Sequence, residues 1–215
     1  MPPRLPNPPK PSSLALAAVV FYALMSIAAL IGMALADLDP VHLVFGIRPN
    51  EDAANAAMSP WLAALLGAGS GLAVVGITHL GRNVRAFARM NREFGAVLGP
   101  LSTGTITLLA LTSSIGEELL FRGALQPALG FWPTAILFGV LHGGGAPRLF
   151  VWTLFAFLTG IMLGALAIET GSLLAPILAH LTINYWNLHA LTADAADQTP
   201  TFPKTPDDPD VRGPS

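Results

Sequence analysis

The chain has 215 residues, of which 53% are hydrophobic and only 11% are charged, which is typical of a membrane protein and not of a soluble domain. It contains no cysteine, so disulfides and cysteine-based metal sites or nucleophiles are excluded. The net charge of −2 provides no basic surface for nucleic acid, which is excluded as a partner.

The N-terminal region is predicted to contain two membrane spans. Residues 1–13 are rich in proline and are predicted to form a disordered tail. Residues 14–36 carry no charge and are long enough to cross about 30 Å of hydrocarbon. This run is too long for a signal-peptide core, so we expect it to be retained. After an acidic connector over 37–59, a second span with small residues suited to close helix contact is predicted over 60–80.

Four arginines follow the second span at intervals of three or four residues. This spacing gives one basic helix face, which predicts an interfacial helix lying against anionic lipid headgroups. A solvated basic connector that only sets the orientation is the alternative. Residues 14–98 are therefore expected to form the N-terminal membrane helices and this interfacial helix. The arginines are Arg82, Arg85, Arg89 and Arg92.

The C-terminal region starts at the helix-breaking pair Gly99-Pro100, after which Ser102 or Thr103 can cap the next helix. Residues 101–129 keep a helical pattern longer than a minimal span, so this helix must tilt or project past the bilayer. A shorter helix is predicted from Trp132 to His142.

Glycine and proline follow this short helix over residues 143–147 and are predicted to end it within the membrane. Non-helical backbone at that depth is tolerated where it lines a watery cavity, so we expect His142 to border such a cavity. Further spans are predicted over 150–168 and 172–191, and residues 193–215 are expected to be a disordered, acidic, proline-rich tail. The fold class is therefore all-α: a multi-pass transmembrane bundle of about six membrane helices, one short and broken by glycine, around an intramembrane polar cavity.

Polar residues within these apolar helices form three motifs. An ionisable side chain at the centre of a membrane helix costs a few kcal/mol or more, so such residues usually mark function. Glu118 and Arg122 are four residues apart in the favourable order for an ion pair, which leaves Glu117 free to point elsewhere. The motifs are E-E-x-x-x-R at Glu117, Glu118 and Arg122, F-x-x-x-H at Phe138 and His142, and H-x-x-x-N at His180 and Asn184.

Helix length predicts that the three motifs meet. At 1.5 Å per residue, Glu117, His142 and His180 lie at depths of about 18, 15 and 13.5 Å from the membrane face that holds the turns at Gly130 and Gly171.

The three motifs, in this order and each within an apolar helix, resemble those of the CPBP family of intramembrane endopeptidases. That family includes CAAX prenyl proteases, bacteriocin-processing proteins and lysostaphin-resistance-like proteins, and the resemblance covers roughly residues 99–192. It implies an endopeptidase in which a glutamate activates the water. The roles it implies are Glu117 as general base, His142 as holder of the water, His180 and Asn184 as oxyanion donors, Arg122 as the partner of Glu118, and Phe138 as a cavity wall.

Two alternatives remain open. Glu117, His142 and His180 are an acceptable catalytic zinc set, although the sequence has no H-E-x-x-H motif, so no cofactor is preferred and zinc is the alternative. A non-catalytic immunity or scaffold protein of the same fold is the alternative from another functional class. A transporter is disfavoured because the two halves show no internal repeat.

Partners and location follow from the same features. Membrane lipids and a peptide or protein substrate are expected, with prenylated and bacteriocin-like substrates both open. The composition favours the cytoplasmic membrane of a bacterium. The positive-inside rule places the N-terminus and the basic segments in the cytoplasm. That orientation would open the site to the outer face, whereas the resemblance to CAAX-type proteases implies action on the cytosolic side, so the side of catalysis stays open.

Overall fold

The computed structural model describes residues 11–45, 58–143 and 149–197, and every regular element in these ranges is helical. A π-helical segment, Leu119–Leu125, joins the fifth helix to the sixth. This confirms the all-α prediction. The helices are α1 (Pro11–Leu35), α2 (Pro40–Phe45), α3 (Pro60–Gly81), α4 (Arg85–Leu98), α5 (Thr103–Glu118), α6 (Gln126–Leu129), α7 (Phe131–Gly143), α8 (Phe150–Thr170) and α9 (Leu174–Asp197).

Three helices among the described residues are long and apolar enough to cross a membrane: α1 over Ala15–Leu35, α3 and α8. The helix α7 is apolar but shorter, as predicted. The predicted spans in α5 and α9 do not meet the same criteria. The regular part of α5 ends after 16 residues at the π-helical segment, and α9 carries the histidine and asparagine of the third motif together with other polar residues.

Several helix ends differ from the sequence prediction. The helix α1 begins at Pro11, because proline is well suited to the first turn of a helix. The helix α9 continues to Asp197, so the first residues of the predicted C-terminal tail are helical. The remainder of both predicted tails, residues 1–10 and 198–215, and the glycine- and proline-containing residues 144–148 lie outside the described residues.

The predicted cap at the start of α5 is confirmed, since Ser102 Oγ accepts a hydrogen bond from the backbone N–H of Thr105. From this capped end, α5 enters the interior of the bundle and packs against α1 on one side and α9 on another. The π-helical segment also contacts α1, and α7 packs along α8. This arrangement places the first motif at the centre of the molecule, between the helices that carry the other two.

Close backbone contact between α3 and α9 depends on two glycines. A Cβ atom at Gly71 would come within 2.7 Å of the Ala179 carbonyl oxygen, and one at Gly67 would overlap the backbone of Ala175. Gly69 and Gly76, on other faces of α3, have no neighbour within 4 Å of a Cβ position. The small-residue contact predicted for this span is therefore made by one face of the helix.

Candidate active site

Two adjacent carboxylates lie in the interior of the bundle. The side chains of Glu117 and Glu118 at the end of α5 are buried, with residue exposures of 7% and 0%. The π-helical segment begins at the next residue. Because π turns inside helices often occur at functional sites, this irregularity directly after the paired glutamates is itself a sign of function.

The predicted ion pair between Glu118 and Arg122 is present. Arg122 Nη1 donates to Glu118 Oε1 across 3.1 Å, and both side chains are buried. Arg122 Nη2 donates to the Gly160 carbonyl oxygen across 3.0 Å. The guanidinium carbon lies 4.5 Å from the centre of the Phe138 ring, which is a cation–π distance. Arg122 therefore ties the end of α5 to α8 and α7.

His180 contacts both glutamates. Its Nδ1 lies 2.7 Å from Glu118 Oε1, and since a carboxylate accepts, Nδ1 is the donor. Its Nε2 lies 3.8 Å from Glu117 Oε2. Glu118 thus bridges Arg122 and His180, a second contact that the motif spacing did not predict.

His142 is oriented by the helix that carries it. Its Nδ1 donates to the Phe138 carbonyl oxygen across 2.7 Å, which directs Nε2 toward Glu117. The distance between His142 Nε2 and Glu117 Oε2 is 3.4 Å. The Phe138 ring centre lies 4.3 Å from that of His142, so Phe138 both packs against the histidine and accepts its hydrogen bond.

Asn184 lies one helical turn after His180 and contacts α5 at a residue outside the three motifs. Its Nδ2 donates to Ser113 Oγ across 2.9 Å. Ser113 was not predicted from the sequence, although its position one turn before Glu117 was a usable signal. Residues four apart on a helix share a face, so a serine there faces the same neighbours as the glutamate.

One cavity, with a volume of about 640 Å³, joins these residues. Its size falls in the range of small-molecule and peptide pockets. Apolar side chains of Phe87, Trp152 and Phe155 form part of its wall. Tyr22 of α1 also lines it and had no signal in the sequence motifs. The residues from the sequence analysis that line it are Glu117, Phe138, His142, His180 and Asn184. Residues of all three motifs therefore line one cavity with polar groups in its wall, and its position within the membrane stays a prediction.

The cavity extends toward the basic end of the bundle. Its lining reaches the exposed side chains of His79 and Arg82 at the end of α3 and of Trp186 on α9. The sequence left the side on which the site opens undecided, and this lining supports an opening at the basic end.

One buried oxygen of the Glu117 carboxylate is available for proton transfer. Glu117 Oε2 has no hydrogen-bond partner among the described residues. Buried polar atoms in native proteins are nearly always satisfied, and an exception at a cavity wall calls for a functional explanation. A carboxylate oxygen aimed at two histidine Nε2 atoms is suited to accept a proton from a bound water or substrate.

The described residues contain no cluster of metal-binding side chains. Within the described ranges, no group of three or more histidine, cysteine, aspartate or glutamate residues is arranged to hold a metal ion. Glu117, His142 and His180 are not among such groups, and zinc at these residues stays an alternative.

Comparison with known proteins gives two matches. Residues 99–186 match the sequence model of the family described as "Type II CAAX prenyl endopeptidase Rce1-like". An 81-residue stretch is 38% identical to YpbD of Bacillus subtilis (strain 168), which is described as uncharacterized. That match covers 37% of this chain and 41% of YpbD, so the chain spans less than half the length of this relative. No solved structure matches the chain.

Proposed function

Because residues 99–186 form a domain of the Rce1-like type II CAAX prenyl endopeptidase family, we propose that the protein is an intramembrane endopeptidase that hydrolyses a peptide bond by a glutamate-activated water. The observation that carries the proposal is the free Oε2 of buried Glu117, facing the Nε2 atoms of His142 and His180 in one cavity. Four costly polar groups at one depth in an apolar bundle are difficult to explain by packing.

In this proposal, Glu117 is the general base. A water beside Glu117 Oε2 gives one proton to the carboxylate and directs its other hydrogen to His142 Nε2. That nitrogen can accept because the ring already donates from Nδ1 to Phe138. The oxygen of the water then attacks the substrate carbonyl carbon. The C–N bond of the tetrahedral intermediate breaks as Glu117 gives its proton to the leaving amine, so the base is regenerated at the end of the cycle.

Two groups are proposed to stabilise the oxyanion. Asn184 has a second N–H on the amide nitrogen that binds Ser113. His180 donates from Nδ1 to Glu118, so it can donate from Nε2 only as an imidazolium. Donors fixed in this way are worth about 2.7–4 kcal/mol each in comparable sites.

The proposed substrate is a peptide or protein held at or in the bilayer. The aromatic part of the cavity wall suits apolar side chains or an attached lipid, and both prenylated and bacteriocin-like substrates fit this description. We place the protein, as a bundle of about six membrane helices, in the cytoplasmic membrane of a bacterium, in contact with membrane lipids. The family domain supports the proposed reaction class, whereas the proposed substrate class is inferred only from the residues that line the cavity.

The experiment compares the purified protein in lipid nanodiscs with its Glu117→Ala variant against membrane-anchored peptides with and without a prenyl group. Each reaction is run with and without a zinc chelator. Glu169→Ala is the matched control, because Glu169 is exposed at the end of α8. We expect the wild type and Glu169→Ala to cleave equally, with and without chelator, and Glu117→Ala to be inactive although folded.

The other outcomes separate the alternatives. Loss of cleavage on chelation would replace the glutamate mechanism with a zinc-dependent one. Absence of cleavage by the folded wild type, together with retained binding of a peptide, would favour the immunity or scaffold protein of the same fold.

A further inference from the structure

Ser113 makes two hydrogen bonds in the wall of the active-site cavity. It lies on α5 and is buried, with 5% of its surface exposed. Its Oγ donates to the Ala110 carbonyl oxygen across 3.3 Å. The same Oγ accepts from Asn184 Nδ2 across 2.9 Å. Ser113 is thus a link between the backbone of α5 and the amide of Asn184 on α9.

The first hydrogen bond decides the direction of the second. A serine hydroxyl has one hydrogen, and a backbone carbonyl oxygen can only accept, so the hydrogen of Ser113 is used on Ala110. Toward Asn184 the Oγ atom is then an acceptor and favours the NH₂ end of the amide. The carbonyl end of Asn184 would meet a lone pair and is disfavoured at this position. The amide of Asn184 therefore has one preferred orientation.

From this geometry we infer that Ser113 is a positioning residue of the peptidase, which holds the Asn184 amide with its nitrogen in the cavity. The inference rests on the proposed function, in which the second N–H of Asn184 stabilises the oxyanion. Without Ser113, the amide is free to rotate and to present its oxygen to the developing negative charge. A donor is then replaced by an acceptor for part of the time, which affects the transition state more than the bound substrate.

The neighbouring residue provides a matched control. Ser114 is on the same helix and is fully buried, and its Oγ has no hydrogen-bond partner within the described ranges. Ser113→Ala and Ser114→Ala each remove one buried hydroxyl from adjacent positions, yet only the first removes a contact to Asn184. We expect Ser113→Ala to lower kcat about tenfold with KM unchanged, a loss comparable to one hydrogen bond. Ser114→Ala is expected to keep the wild-type kcat.

Two further variants separate positioning from a general effect on folding. Ser113→Thr keeps the hydroxyl and is expected to restore most of kcat. In the Asn184→Ala background, Ser113→Ala is expected to have no further effect on kcat, because the group that it positions is absent. Equal kcat values for Ser113→Ala and Ser114→Ala would overturn the inference, as would a further tenfold loss in the Asn184→Ala background.

A thermal unfolding cycle tests the contact independently of cleavage. The melting temperature is measured for Ser113→Ala, Asn184→Ala and the double variant, and for the same set with Ser114 in place of Ser113. We expect the shifts to be non-additive for the Ser113 set and additive for the Ser114 set. If the wild type cleaves no peptide, the proposed function fails and with it the catalytic role of Ser113, while this cycle still decides whether Ser113 holds Asn184. Additive shifts in melting temperature for both sets would show that Ser113 does not contact Asn184.

Discussion

His180 Nδ1 donates to Glu118 Oε1 across 2.7 Å, so the residue next to Glu117 orients the ring that faces Glu117. The same carboxylate oxygen accepts from Arg122 across 3.1 Å. Glu118 is completely buried and holds together groups from α9 and the π-helical segment. The two adjacent glutamates therefore have different tasks: Glu118 holds the structure of the site, and Glu117 faces its cavity.

The two glutamates should differ in their effect on stability. Removal of one member of a buried ion pair leaves the other charge uncompensated, so Glu118→Ala is expected to lower the free energy of unfolding by about 3–5 kcal/mol. Glu117→Ala removes a carboxylate with an unsatisfied buried oxygen and is expected to change it by less than about 1 kcal/mol. Denaturant unfolding in detergent micelles measures both. Equal losses for the two variants would contradict the assignment of separate tasks.

Arg122 should not be replaceable by lysine. Its guanidinium contacts Glu118, the Gly160 carbonyl oxygen and the Phe138 ring at the same time. A lysine ammonium is a compact point charge and cannot span these three partners. We expect Arg122→Lys to lower the free energy of unfolding by about 1.5–3 kcal/mol through the loss of a charged hydrogen bond.

Arg85→Lys is the control for this prediction, because Arg85 is exposed on α4. This substitution should not measurably change the free energy of unfolding. A stable Arg122→Lys protein would mean that the positive charge alone suffices at this position.

Much of the site followed from residue spacing. The pairing of Glu118 with Arg122 was predicted from their separation by four residues and is confirmed. The meeting of Glu117, His142 and His180 was predicted from depth along three helices, and the structure brings them into one cavity. Both predictions hold because the rise and the periodicity of an α-helix are nearly constant. The position of a residue in the sequence therefore gives its height along the helix axis and the face of the helix on which it lies. The catalytic roles of these residues stay predictions.

The missed features depend on contacts between helices. The π-helical segment after Glu118 has no signature in helix propensity, since a π turn is stabilised by its tertiary surroundings. The contact between Ser113 and Asn184 requires the relative rotation of α5 and α9, which spacing along each helix does not contain. The side on which the cavity opens was left undecided for a similar reason. Depth along a helix gives the height of His142, but it does not give the free space between neighbouring helices.

Close packing of α3 against α9 should depend on Gly71 and not on Gly69. A Cβ atom at Gly71 would lie 2.7 Å from the Ala179 carbonyl oxygen, and Ala179 directly precedes His180. Gly71→Ala is therefore expected to separate the helices and to destabilise the protein by about 1–3 kcal/mol, as overpacking does elsewhere. Because α9 carries His180 and Asn184, cleavage should fall as well.

Gly69→Ala is the matched control, two residues away on the same helix with open space around it. Alanine has the higher helix propensity, so this variant should be as stable as the wild type or slightly more stable. Thermal unfolding of the two variants in nanodiscs makes the comparison. Similar melting temperatures would show that α3 and α9 are not in close contact.

The two ends of the bundle should lie on opposite sides of the membrane, with the basic end in the cytoplasm. At one end, Met58 N–H donates to the Thr170 carbonyl oxygen and Leu173 N–H to that of Leu43, which groups α2 and the start of α3 with the end of α8 and the turn after it. The helix α2 closely follows the end of α1 in the chain. The other end carries the arginines before and along α4, and the cavity extends toward it. The positive-inside rule places those arginines in the cytoplasm, so the cavity should open there.

Single-cysteine labelling tests this orientation, because the chain has no cysteine of its own. Ala36→Cys reports on the end of α1, and Asn83→Cys reports on the basic end; both positions are exposed. A membrane-impermeant thiol reagent applied to intact cells should label Ala36→Cys, and Asn83→Cys should react only after the cells are opened. The reverse pattern would place the cavity mouth outside the cell, where a cytoplasmic substrate cannot reach Glu117.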